Sequence, residues 1–187
     1  MSRLLIPFVF LLGIGTTTAH AADATKCFLS AADKAANARL SFDEFDQKGV
    51  TNSTWRQLED RGCHALAVEA AEDYLVKGPV LTLAHKEDVL FHEAQSLAFL
   101  GDTAQAAHFV AAAIPHDRSN HGDLDWTTYL IGTWAFLVRE KPLLNASAGR
   151  MSLEPGEDNA MDSAVLRGLA KCFDRSYRIA YTLCRPK

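Results

Sequence analysis

Apolar residues recur every three to four positions along nearly the whole chain, and the alternation that marks strands is almost absent. The clearest stretch is Leu90 to Ala113. Leu90, Ala94 and Leu97 fall on one helical face, Gly101 breaks the helix, and Ala106, Val110 and Ala113 resume the pattern. That spacing predicts two short antiparallel helices, from about Ala84 to Leu100 and Thr103 to Ile114, packed through small residues.

The same reading extends in both directions. An N-terminal helix is expected from about Ala24 to Leu40, followed by a polar, turn-rich connection through Asp43, Asp46, Gly49 and Asn52. Ser53 or Thr54 can cap the next helix, Trp55 to about Val76, which ends at Gly78-Pro79. Its expected core residues are Trp55, Leu58, Ala65, Leu66, Ala70 and Tyr74, with Gly62 either allowing a close neighbour or marking a break. Beyond the polar loop Pro115 to Asp123 comes a helix carrying Trp126, Tyr129, Leu130, Trp134 and Leu137. Pro142 suits the first turn of another helix, running to about Met151. After the loop Glu154 to Asp158, Asp158 or Asn159 is placed to cap a helix from Ala160 to Phe173, and Tyr177 to Cys184 forms the last. Helices alternating with short loops predict an all-α fold of stacked antiparallel hairpins.

The first residues change the picture of where this domain works. Arg3, the apolar run Leu4 to Ile14 and the small-x-small triplet Ala19-His20-Ala21 have the layout of an export signal. The apolar run is shorter than the about 20 residues that span a bilayer. Residues 1–21 are therefore expected to be removed, leaving 22–187 as one exported domain without membrane insertion. Removal of Arg3 takes the formal charge from −4 to −5. With Lys and Arg scattered, neither nucleic acid nor an anionic membrane is an expected partner.

Four cysteines, Cys27, Cys63, Cys172 and Cys184, are expected to form two disulfides in an oxidising compartment. Three pairings are possible. A single helix from Cys172 to Cys184 would hold its ends about 18 Å apart, too far to bridge. A turn near Asp174 to Ser176 would remove that obstacle, so the pairing stays open.

Leu90, Ala94, Leu97, Gly101, Ala106, Val110 and Ala113 fall where the tetratricopeptide consensus places its signature positions, although Arg118 stands at the closing proline. A longer order runs Phe45-Asp46-Gln47, Trp55 to Leu58, Gly62-Cys63, Phe91 to Asp102, Asp125 to Leu137 and Cys172 to Cys184. This order resembles a group of uncharacterised bacterial secreted proteins with a tetratricopeptide-like helical fold, over about Phe42 to Cys184. The resemblance implies a disulfide-stabilised, tetratricopeptide-like stack and a periplasmic or secreted location. It transfers no catalytic residue.

Candidate chemistry is sparse. His85, Asp88 and His92 share a helix face roughly opposite Leu90, Ala94 and Leu97, an imidazole–carboxylate–imidazole set suited to zinc or copper if further ligands join it. The loop His116 to Asp125 has Gly122 at the sixth place from Asp117, but His121 at the fifth and Thr128 at the twelfth argue against an EF-hand. His92-Glu93 lacks the second histidine of HExxH, where Ser96 stands, and GxSxG and SxxK are absent. No phosphate-cradling Gly-rich turn occurs. No cofactor is expected, and an enzyme is the least supported class.

In the repeat geometry, Asp88, Phe91 and Gln95 would face the groove, an apolar anchor with polar neighbours. They are the candidate binding residues for an exported protein or peptide partner, unless C-terminal helices fold back and make Phe91 ordinary core. The expected function is thus non-catalytic partner binding. The alternatives are periplasmic metal binding through His85, Asp88 and His92, or a structural or inhibitory, immunity-like envelope module. Mature protein recovered from expressing cells should begin at Ala22; an intact mass that retains residues 1–21 would contradict the export reading.

Overall fold

The computed structural model describes residues 27–115 and 124–186. The expected export signal, its cleavage point at Ala21 and most of the loop from His116 lie outside the described residues. Among the described residues the chain is entirely helical: α1 (Ala31–Asn37), a π-helical turn (Asp43–Gln47), α2 (Trp55–Asp60), α3 (His64–Lys77), α4 (Leu83–Leu100), α5 (Thr103–Ala113), α6 (Trp126–Leu137), α7 (Lys141–Met151), α8 (Glu157–Lys171) and α9 (Tyr177–Leu183). None of these helices is long and apolar enough to cross a membrane. Consecutive helices pack on one another from α2 through α9, and α6 also meets α8 while α4 meets α9.

The α4–α5 hairpin follows the apolar pattern closely. Thr82 caps α4 by accepting from the His85 N–H, and Asp102 caps α5 by accepting from the Gln105 N–H. Between them Gly101 turns at φ +92°, a conformation that lets the Gly101 and Asp102 N–H groups satisfy the last carbonyls of α4. Ala94, Leu97, Ala106, Val110 and Ala113 are buried at the interface.

Three elements differ from the sequence expectation. Helix α1 starts only at Ala31, because Ser30 and Asp33 form a reciprocal capping box at that point. The expected Trp55–Val76 helix is two helices. Gly62 sits at φ +74° between them and the Cys63 N–H bonds the Leu58 carbonyl. The break shifts the buried face of α3, so Ala67 and Ala71 are inside and Ala65 is exposed. Helix α8 begins at Glu157 behind Gly156, and Asn159 is no cap: its Nδ2 donates to the Pro155 carbonyl while its Oδ1 accepts from the Asp125 N–H, tying the starts of α8 and α6 together. Thr54 occupies the start of α2, but its hydroxyl bonds the Thr51 carbonyl instead of capping.

The disulfides join Cys27 to Cys63 and Cys172 to Cys184, with Cα–Cα distances of 5.4 and 6.1 Å. The first staples the start of the described chain to the α2–α3 turn. The second closes a tight corner around 174–176 and lays α9 back against α4.

The interior divides into two apolar clusters. The smaller joins Phe45, Trp55, Leu58, Ala67, Ala70, Tyr74 and Val89; the larger runs from Phe91, Ala94 and Leu97 through α5 to α9. In the larger cluster α6 comes so close to α7 and α8 that a Cβ on Gly132 would stand 2.7 Å from Leu166 Cδ2 and 3.0 Å from Ser147 Cβ. Leu166 is fully buried, so its methyls can give way only by repacking their neighbours. Gly132→Ala should therefore destabilise the protein by about 1–3 kcal/mol despite alanine's better helix propensity. Chemical denaturation of the two forms measures this directly, and an unchanged midpoint would contradict the close packing.

Candidate functional site

Helix α4 carries several polar side chains that are wholly or partly buried. Glu87, Glu93 and Ser96 are buried, and His92 is held between the N-terminal segment and the body of the domain. The π-helical turn aims Asp46 at α4: His92 Nδ1 donates to Asp46 Oδ1 at 2.8 Å, and the Asp46 side chain is fully shielded. The His92 ring also stacks on Trp55 at 4.2 Å between centroids. A second pair repeats this arrangement. His64 Nδ1 donates to Glu59 Oε2 at 2.8 Å, the Ser96 hydroxyl donates to the same oxygen, and the His64 ring stacks on Phe99 at 4.8 Å.

Both histidines border one cavity of about 630 Å³. Helix α2 supplies Trp55, Arg56, Glu59 and Asp60; α4 supplies Phe91, His92, Gln95 and Phe99; α6 supplies Trp126 and Tyr129; α8 and α9 add Asp162, Arg178 and Tyr181. Each Nδ1 is thus committed to a carboxylate. Arg56 lies over the Trp55 ring, 4.7 Å from its centroid, and its Nε donates to the Asp46 carbonyl. Arg178 donates to the Phe99 carbonyl. The lining is thus aromatic, with charges of both signs around it.

Burial sets the proton affinities here. Asp162 is pushed up to about 7 by desolvation, against the pull of Arg185. Tyr129 and Tyr177 are raised well above the usual phenol value for the same reason. Asp88 is raised to about 6, mainly by burial and partly offset by His92. Glu93, packed on the α3 side, is raised to about 7 by burial and further by Glu72.

The sequence candidates meet different fates. Phe91 and Gln95 both line the cavity, but Phe91 is 1% exposed, packed edge-on against Trp126 and Tyr129. It is part of the larger core and a wall of the cavity, not a projecting anchor. Asp88 stands outside the main cavity and borders two smaller ones of about 570 and 400 Å³. His85, Asp88 and His92 do not converge: the His85 ring stacks on Phe42 while His92 is bound to Asp46. Among the described residues no three His, Cys, Asp or Glu side chains are grouped to hold a metal. Sequence reasoning missed Trp55, Glu59, His64, Asp162, Arg178 and Tyr181 as members of one site. The closest signal was the tyrosine-rich stretch between Cys172 and Cys184, whose disulfide folds α9 back towards α4.

Fold and site together define an all-helical, disulfide-stapled domain with an aromatic cavity where six of its helices meet. Comparison with family models, curated proteins and solved structures finds no match for this chain.

Glu93 makes the stability of the domain depend on pH. Burial raises its carboxyl from the ordinary 4.5 to about 7 in the folded protein, so between those values the folded state holds a proton that the unfolded state has released. Stability falls as pH rises through that window. Glu93→Gln removes the penalty and should raise Tm by about 2–8 °C at pH 8, with the two forms converging near pH 4. Thermal melts at both pH values test this, and an equal difference at each would refute the assignment.

Proposed function

We propose that this protein is an exported, non-catalytic binding protein that receives part of a protein or peptide partner in the cavity bordered by Phe91 and Gln95. The observation that carries this reading is the cavity itself. Its volume of about 630 Å³ matches ordinary ligand pockets, and an aromatic lining with a few polar groups is what such pockets use. Tryptophan and tyrosine are also the side chains that dominate binding energy at protein interfaces. Two disulfides suit an oxidising compartment, which supports a periplasmic or secreted location with residues 1–21 as the export signal. The consecutive hairpins are read as a tetratricopeptide-like stack, an architecture built for presenting a concave binding face.

The site's histidines are consistent with recognition. Each has one nitrogen held by a carboxylate, and the four cysteines are paired in disulfides. A photoreactive phenylalanine at Gln95, in intact expressing cells, should cross-link one defined partner. The same residue at fully exposed Val80 should not. Trp126→Ala should weaken that partner's binding at least about tenfold with helical content unchanged. Equal cross-linking from both positions, or binding indifferent to Trp126, would defeat the proposal.

A further inference from the structure

One cation at the cavity is held in place and left without a counter-charge. Arg56 borders both the main cavity and the smaller one of about 400 Å³, so its side chain stands where the two adjoin. Its guanidinium carbon lies 4.7 Å from the centroid of the Trp55 ring, and its Nε donates to the Asp46 carbonyl at 2.7 Å. That carbonyl lies at the end of the π-helical turn, where carbonyls lack an N–H of their own helix. Trp55 is pinned in turn by the stacked ring of His92. A guanidinium fixed by a ring face and by its Nε keeps its two terminal nitrogens as a rigid fork. Among the described residues neither nitrogen of that fork bonds an acceptor, and neither is among the unpaired atoms shut away from water.

The neighbouring carboxylates are engaged elsewhere or carry less than full charge. Glu59 has one oxygen taken by His64 and Ser96 and the other closed off. The Asp46 side chain turns to His92 and Gln47. Asp162 borders the same two cavities, but burial pushes it up to about 7, so near neutral pH it holds its proton part of the time. Asp60, one turn beyond Arg56 on α2, is exposed at the rim. Arg178, also exposed there, adds a second positive charge.

A fork of parallel N–H donors matches the two oxygens of a carboxylate. A second cation would meet Arg56 with nothing between them. A dianion such as a phosphate monoester would meet stronger repulsion from Asp60 and Asp162 than a single negative charge does. Phe91, Trp126 and Tyr129 line the same cavity and give an apolar body a surface to pack on.

We infer that the cavity takes a ligand that carries one carboxylate on an apolar body, with the Arg56 fork gripping the carboxylate. This inference rests on the partner-binding reading above and narrows it to an acidic group of the partner.

The test uses the full mature protein and titration calorimetry. The probes are acetyl-Ala-X dipeptides, with X as Leu, Phe, Tyr or Trp, ending either in a free carboxylate or in an amide. The acids should bind saturably, and the amides at least about tenfold more weakly, as the loss of a charged hydrogen-bonded pair requires. Acetyl-Phe-Glu-Phe amide carries its carboxylate on a side chain, and 3-phenylpropionate carries it on no peptide at all. The tightest of the three acids identifies whether a chain end, an acidic side chain or a free organic acid is the source. Phenyl phosphate should bind more weakly than 3-phenylpropionate. Arg56→Gln should bring the acids down to the level of the amides, and Arg56→Lys, which keeps the charge without the fork, should recover only part of the loss. The comparison of acid with amide on the unaltered protein needs no variant to fold. Amides that bind as tightly as acids, phenyl phosphate that outbinds 3-phenylpropionate, or acids that fail to bind would each overturn the inference. So would an acid preference that survives in Arg56→Gln, an outcome that leaves partner binding intact and discards only this anchor. The Gln95 cross-link decides the broader reading independently.

Discussion

Helix α4 gives opposite sides to two separate cores, and the rest of the domain is arranged to make that possible. Val89 enters the N-terminal cluster while Phe91, Ala94, Leu97 and Ala98 enter the larger one. A helix that packs on two sides ordinarily buries apolar residues on both, yet this one carries Glu87, Glu93 and Ser96 inside. Covering it requires the segment before α3 to be held down over its polar side. The Cys27–Cys63 disulfide, the buried bonds of Asn37 to the Ser53 carbonyl and hydroxyl, and the Tyr74 hydroxyl's bond to the Leu40 carbonyl do so.

The cavity is a consequence of that arrangement. Short α2, set at an angle by the Gly62 break, and α9, turned back by the Cys172–Cys184 disulfide, approach α4 near the same stretch from opposite ends of the chain. Their side chains meet around Phe91, Gln95 and Phe99 without filling the space between them. The histidine–carboxylate pairs stiffen this wall. The fully buried Asp46 side chain bonds His92, which stacks on Trp55, so one set of contacts joins the π-helical turn, α4 and α2. Preorganised walls of this kind reduce the ordering cost of binding, which is where a small cavity gains affinity.

The hairpin around Gly101 was readable because its determinants are local. Helical period, a glycine in the left-handed region and the caps Thr82 and Asp102 all lie within a few residues of what they govern. The starts of α6 and α7 follow for the same reason, through the Asp125 cap and Pro142. Misreadings fell where a contact distant in sequence outweighs a local signal. Asn159 serves the Asp125 N–H, 34 residues away, instead of capping its own helix. His85 and His92 look like a solvated pair of ligands on one face, but each is taken by the N-terminal segment, His85 by Phe42 and His92 by Asp46 and Trp55.

What the sequence by itself determined is the helical nature of this protein, most of its helix boundaries and the presence of four cysteines that an oxidising compartment would pair. These depend on residues within one or two helical turns, where periodicity and capping are legible. Only the tertiary structure decided which cysteines pair, that Phe91 is core, and that Trp55, Glu59, Gln95 and Tyr181 share one cavity. Those outcomes depend on how α2 and α9 fold back across α4. Burial there is settled by the sum of many distant contacts that no single stretch of the chain encodes.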